Sequence, residues 1–507
     1  MSEIDSNSTS LSFAEQQGFN DLGVAPVWYG VEVNSYPDFG SKPTSIARSP
    51  IEQGRQDKKG GVVRLDASGG FNADLTQTNL TRLQQGFFYA DIIQLPTTEP
   101  MNGAKIAITS VTASTKRIAA ASGMGVFAAG QLAYVSGSAI AANNGIKTVA
   151  ASAAGYVETV EALVDEVSPP ASMKVEVVGW QFASGDVNVT MSGNLLQLSS
   201  TATNFSILPL KVGGWVFIGG DPTQTRFANN VGYARIKTIT STLLTLDDAT
   251  FTGVAEAGTG KTIRLFFGNI IKNQKDPLLQ KRRFYNLERT LGMGPNGTQA
   301  QYLENALAND WTMKIADGDK ITIDMGFIAT NEITKTGGVG DEIKTGTRIS
   351  APGEDLFNTS SNVYRLKAQL KSSSNSNAPP LFAYFKEATI NIKNGVTPRT
   401  AIGSKKAIGM NIGNFKVSST MTAYFEVVDA LNAIPNNSDA EFNVILAARN
   451  CGQVYDIPLM SVGGGQLSVN KDDSITVPLE NNAAENENGY TMLHQVFPYL
   501  PTIAMPV

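Results

Sequence analysis

The first half of the sequence states one short β pattern twice, and that repetition limits what the chain can build. GQLAYVSG, starting at Gly130, matches GGWVFIGG, starting at Gly213. Leu132, Ala133, Tyr134 and Val135 therefore fall opposite Trp215, Val216, Phe217 and Ile218. Further on, Ala142-Asn143-Asn144 matches Ala228-Asn229-Asn230, and Ile146-Lys147-Thr148-Val149 matches Ile236-Lys237-Thr238-Ile239. Each copy closes on an aliphatic and acidic run, VETVEALVDE in the first and LLTLDDATF in the second. Self-similarity at a fixed spacing marks one supersecondary unit used again. The shared order of signals predicts two tandem β modules between about Pro100 and Thr262, each a compact barrel or sandwich of five or six strands.

A second, fainter repeat lies outside the modules. WTMKIADGD, starting at Trp311, parallels ATINIKNGV, starting at Ala388, with Thr312, Met313, Ile315 and Gly318 opposite Thr389, Ile390, Ile392 and Gly395. Upstream of each, RFYNLERTL parallels NVYRLKAQL. The reading is one β domain present twice, its first copy split by the modules. Residues 1–99 and 263–345 would form the first domain, 100–171 and 172–262 the two modules, and 346–507 the second domain. Thr334–Thr347, rich in glycine and polar residues, reads as the linker. Thr312–Ile315, Lys320–Phe327, Thr389–Ile392 and Phe415–Phe425 alternate apolar with polar residues, as half-buried strands do.

Composition narrows the function. At 507 residues and 42% hydrophobic, the chain can bury several cores. Its formal net charge of -5 argues against a dedicated nucleic-acid binder, which carries a basic footprint. The single cysteine, Cys451, permits no intrachain disulfide and reads as a small side chain near a turn. The single histidine, His494, reads as a surface or packing residue; any His-based metal site or catalytic triad would rest on it alone. The start, MSEIDSNSTSLSF, lacks the basic and apolar regions of a signal peptide, and no window approaches a membrane span.

The stretch Ala47–Asp91 reads as a basic loop, a strand at Val62, Val63 and Leu65, a turn at Gly69-Gly70, and a short helix. Asp74 stands where an N-cap belongs, Leu75, Leu80, Leu83 and Phe87 make the apolar face, and Gly86 marks fraying or the helix end. This stretch resembles the tail tube proteins of long-tailed bacteriophages, as do Trp311–Phe327 and the C-terminal third. There FKVSSTMTAYFEVVDALNAI reads as a strand leading into a short helix, and EFNVILAARNCGQVYDIPLMSV as two strands joined by a tight turn. DDSITVPLENNAAENENGYTMLHQVFPYLP reads as a last strand and a terminal segment.

The resemblance implies a mainly β fold: duplicated tail-tube sandwich or barrel domains, each with a short helix, plus the two inserted barrel-like modules. It implies a structural virion protein, the major tube subunit of a long non-contractile tail, and no catalytic, cofactor or metal residues. Expected partners are further copies of the chain, in trimeric pseudo-six-fold rings or alternatively hexameric ones. A tape-measure protein inside the tube, tail terminator and tail tip proteins, and passing double-stranded DNA complete the set, with no membrane. Assembly is expected in the host cytoplasm and residence in the virion tail. The modules, as an insertion, are expected on the outer face of the ring. The N-terminal arm, the Ser49–Gly61 loop and the C-terminal segment are expected between rings, with Arg55 to Lys59 as a ring contact.

GTGKT at Gly258–Thr262 is a fragment of a phosphate loop, but Ala255 stands where its first glycine belongs, and IRLFF after it looks like a strand. Lys58-Lys59 and Lys281-Arg282-Arg283 read as solvated or ring-to-ring contacts before DNA contacts. Asp324, Glu387 and Asp429 show no metal-ligand spacing. An acid-lined channel that lets DNA slide is a further expectation. A tail-tip or surface adhesin of tandem β domains is the alternative function. A glycan-cleaving enzyme would need a carboxylate pair that the sequence does not display.

Overall fold

The computed structural model describes residues 4–51, 53–372, 374–425, 435–469 and 471–506. The body of the protein is built from β1 (Ser10–Glu15), β2 (Ser35–Arg48), β3 (Lys58–Asp74) and the helix α1 (Thr81–Phe88). After the insertion come β4 (Tyr285–Gly294), β5 (Gly297–Ala316), β6 (Thr322–Ala329) and β7 (Asn331–Lys335). The remainder holds β8 (Val363–Leu370), β9 (Phe385–Lys393), β10 (Lys416–Tyr424), β11 (Asp439–Ala448), β12 (Cys451–Gly464), β13 (Thr476–Ala483) and β14 (Leu493–Phe497). The fold is mainly β.

These strands pair in one order used twice. The first series runs β2-β3-β6-β5-β4-β1, with β7 on the other side of β5, all antiparallel. The second runs β9-β10-β13-β12-β11-β8, with β14 on the other side of β12, again antiparallel. Strand β5 serves two layers. Its first part pairs with β4 and β7, its second with β6 and β9, and Asn305, at a φ of 52°, bends it between them. The sequence runs WTMKIADGD and ATINIKNGV lie on β5 and β9, which hold different places in the two series. The counterpart of β5 is β12. Two strands with the same period-two alternation can match in sequence without sharing a position.

Several local expectations need correction. Gly69 and Gly70 form no turn; both lie inside β3. A side chain at 69 would meet Leu303 at 2.2 Å and Phe39 at 3.1 Å, so glycine is there for close approach of neighbouring strands. Asp74 does not cap the helix. It ends β3 and binds Asn34 and Lys320, while the helix starts from Leu80 with no side-chain cap. Gly86 lies inside α1, where a Cβ would press on the Tyr285 hydroxyl at 2.6 Å; the helix ends at Tyr89, whose φ is 49°. Leu75, Leu80, Leu83 and Phe87 are buried as read. The second domain's expected helix, in VVDALNAI, lies outside the described residues, as does Asp429.

The insertion forms one 12-stranded sheet. Its first six strands are Ile108–Thr112, Arg117–Ala120, Gln131–Ser136, Gly145–Ala153, Tyr156–Thr159 and Lys174–Gln181. Its second six are Val187–Ser192, Leu195–Ser200, Trp215–Ile218, Gly232–Ile239, Leu243–Ala249 and Arg264–Phe267. From either end of the sheet the order is first, second, fifth, fourth, third, sixth. The matched runs LAYV and WVFI are the third strand of each copy. The units do not close as barrels, because their sixth strands pair with each other, Gly179 opposite Phe266 and Trp180 opposite Leu265. Each outermost strand is pinned at one point instead, Val111 to Glu166 and Val189 to Glu256.

The insertion is bolted to the body. Trp215, Phe217, Tyr233 and Phe266 share a buried cluster with Ile445 and Ala447 of β11, Val454 of β12, and Leu493 and Phe497 of β14. The C-terminal segment is used up in the same contact: the Tyr233 hydroxyl donates to Ala504 O at 3.1 Å, and Leu500 and Ala504 are fully buried.

Candidate assembly interface

The two series meet at a seam between β5 and β9. Trp311 stands opposite Ile392, Met313 opposite Ile390 and Ile315 opposite Ala388. All six are buried. The connection after β9 folds over the first series, where Val396 and Met410 bury against Leu307. Asn394 Nδ2 donates to Phe87 O and Ala308 O, closing the seam with polar contacts.

This seam makes one continuous layer, β2-β3-β6-β5-β9-β10-β13-β12. On β6, β9, β10 and β13 burial alternates residue by residue, so one face of the layer is core and the other is not. The second face is short-chained and polar: Asn72, Thr312, Thr389, Asn391, Ser418, Thr420, Thr422 and Asn482. Some of its charges are tied to neighbours, while Lys393 and Lys416 stand opposite each other on it, both exposed. Lys314 pairs with Asp324 at 2.7 Å, Asn72 donates to Asp324 at 2.7 Å, and Thr422 donates to Glu387 at 2.8 Å.

Both ends of the layer are open. Among the described residues β2 pairs with no strand but β3, and β12 beyond Ser461 pairs only with β13. Beyond the β3–β6 pairing, which stops at Ala67, the β2–β3 hairpin overhangs by roughly 25 Å. Ile46, Ile51, Val62 and Val63 are exposed along it, beside Arg48, Arg55 and Lys59. Lys58 and Lys59 belong to strand β3 rather than to a loop.

A buried ionic cluster joins the insertion to the second series, and sequence reasoning missed it. Arg235 contacts Asp247 at 2.9 Å, Glu441 at 2.5 Å and Asp456 at 3.3 Å. Asp248 takes Arg365 at 2.5 Å and Asn443 at 3.0 Å. Charged residues set inside otherwise apolar runs, as Asp456 in VYDIPL, were the available signal. Burial pushes the Asp456 carboxyl up to about 7, against the pull of Arg235. A second missed feature is repeated in the insertion. Asn143 and Asn230 each bind an acidic residue of their own copy, Glu166 at 3.2 Å and Glu256 at 2.9 Å. The recurring Asn-Asn motif was its signal.

His494 is a packing residue. Its ring stacks on Tyr455 at 4.3 Å, and burial pulls its pKa from 6.5 down to about 3. The unfolded chain therefore takes up a proton that the folded chain refuses. This contribution to stability is present above pH 6.5 and lost as pH falls toward 3. Asp456 has the opposite sign: its raised pKa favours the folded state at low pH, and the contribution is lost as pH rises through about 7. His494→Gln is expected to narrow the gap in stability between pH 4 and pH 7, read from urea midpoints; an unchanged gap would refute the assignment.

The remaining sequence candidates have structural partners. Cys451 is buried just past the Arg449-Asn450 turn and donates its thiol to Ala448 O. Arg283 is buried, bonded to Ala90 O and paired with Glu15 and Asp91, which takes it off the surface, while the exposed Lys281 also pairs with Asp91. Lys261 of GTGKT pairs with Glu256 at 3.4 Å, and the segment after it is a strand. Among the described residues no group of three or more His, Cys, Asp or Glu could hold a metal ion, and no helix is long and apolar enough to cross a membrane.

An antiparallel layer whose edge strands keep unpaired backbone groups has places where a further strand could add. The model of the phage tail tube protein family matches residues 6–483, nearly the whole chain. The chain belongs to the phage tail tube protein family, and its place is the virion tail. No curated protein matches it.

Proposed function

We propose that copies of this chain close into rings by repeating between chains the seam that β5 and β9 make within one. The observation that carries this is the order of the two series. β9 heads the second series as β2 heads the first, and β12 stands where β5 stands. The open stretch of β12 in one copy then takes the open edge of β2 in the next. Head-to-tail pairing of this kind closes when the rotation closes. Each chain contributes two tube domains, residues 1–99 with 263–345 and residues 346–507, so three chains make a ring of pseudo-six-fold symmetry.

Rings stack through the overhanging hairpin and the N-terminal arm, whose exposed apolar residues become buried. The polar face lines the lumen, around a tape-measure protein during assembly and around DNA afterwards. The insertion, on the opposite side, decorates the outside. Terminator and tip proteins end the tube, which is built in the host cytoplasm.

Electron microscopy of the purified chain tests the reading. Hollow tubes with three chains per ring are the expected result. Rings of six chains would overturn the trimer, and discrete particles without a lumen would overturn the tube.

A further inference from the structure

The open edge of β2 carries a cap made of side chains. Phe39 and Ser41 lie two residues apart in β2, so their backbone groups point to the same side, away from β3. The Phe39 carbonyl accepts from Arg289 Nη2 at 3.3 Å. The Ser41 N–H donates to Glu332 Oε2 at 2.5 Å, and the Ser41 hydroxyl donates to the same oxygen at 2.6 Å. Gln301 ties the two together, accepting from Arg289 and donating to Glu332. Pro43, the next residue on this side, has no N–H to offer.

The cap presents a donor to a strand carbonyl and an acceptor to a strand N–H, as a neighbouring strand would. In the second series the corresponding edge of β9 has such a strand, with Met313 and Trp311 of β5 facing Ile390 and Ile392. The cap itself is imperfectly satisfied. Arg289 Nε is buried without a hydrogen-bond partner, so the cap leaves one of its own donors unmet while it holds the edge. Arg289, Gln301 and Glu332 lie on β4, β5 and β7, which form one sheet and not the strand they guard.

We propose that Arg289, Gln301 and Glu332 are a displaceable cap on the open edge of β2, and that a strand of a second copy of this chain displaces it. The proposal rests on the ring reading above and adds a regulation to it. Cap and incoming strand compete for the same carbonyl and N–H, so a free subunit resists edge-to-edge pairing until a growing ring or tube presents a well-registered strand. Edge strands are commonly blunted by proline and by charged side chains; here the blunting is reversible.

The test follows polymerisation of the purified full chain by light scattering and electron microscopy, with melting temperature as the check on folding. Glu332→Ala is expected to start forming tubes roughly tenfold sooner than the wild type, from the loss of a charge-assisted hydrogen bond. Gln301→Leu, which breaks the link but leaves the carboxylate in place, is expected to shorten the onset less and serves if the first variant folds poorly. Ser41→Pro removes an N–H that β3 does not use, and is expected to prevent ring closure with little change in melting. If Ser41→Pro assembles like the wild type, the ring reading fails at this edge. If Ser41→Pro blocks assembly while the two cap variants start no sooner than the wild type, the ring reading stands and the cap is overturned.

Discussion

Replacing Arg235 with alanine is expected to destabilise the folded chain by about 3–5 kcal/mol, because it strands three carboxylates in a dry interface. Asp247, Glu441 and Asp456 all contact that guanidinium, and Glu441 and Asp456 have almost no access to water. Burial already raises the pKa of Glu441 and Asp456 with the arginine present. Removing it should drive both further toward the neutral form, so the loss should be larger at pH 8 than at pH 5. Chemical denaturation at the two pH values checks both statements. A loss below 1 kcal/mol, or one independent of pH, would show that the cluster contributes little to holding the insertion.

Excising the insertion is expected to be worse. Ile93 and Ile270 already exchange backbone hydrogen bonds, at 2.7 and 3.1 Å, so a short glycine linker could join them without moving the body. What the excision uncovers is the difficulty: Ile445, Val454, Leu493 and Phe497, all now buried against the insertion, would face water. Each such side chain is worth roughly 1.5–3 kcal/mol when buried, and a handful of them rivals the whole stability of a domain. The excised chain should be recovered as aggregate, or as a dye-binding species with broad melting. A soluble, monomeric product melting within a few degrees of the full chain would show that the insertion is separable decoration.

Much of this architecture was legible in the sequence because its strands alternate. Lys320–Phe327 and Phe415–Phe425 show period-two patterning, and β6 and β10 lie there. The paired modules were legible because each matched run falls on the same strand of its copy. What failed was everything set by distant residues. Gly69-Gly70 reads locally as a turn, and it is Leu303, far along the chain, that makes glycine necessary within a strand. Asp74 looks like an N-cap until Lys320 claims it. The match of Trp311 to Ala388 was real as a pattern and misleading as a correspondence, since alternation alone does not fix a strand's place in a sheet. The open edge of β2 and its cap depend on three residues from three other strands, which no local window displays.

The cap also has a place in time. The β2–β3 hairpin is local and can form as soon as Asp74 has left the ribosome, but Glu332 follows Ser41 by nearly three hundred residues. At about 5–20 residues per second, the edge waits roughly a quarter of a minute to a minute for its guard. During that interval several nascent chains on one message would hold bare β2 edges close together. Pro43, present from the outset, then protects part of the edge before the downstream cap exists. The order of synthesis makes the hairpin an early element able to mispair, and leaves it unsecured until β7 has been made.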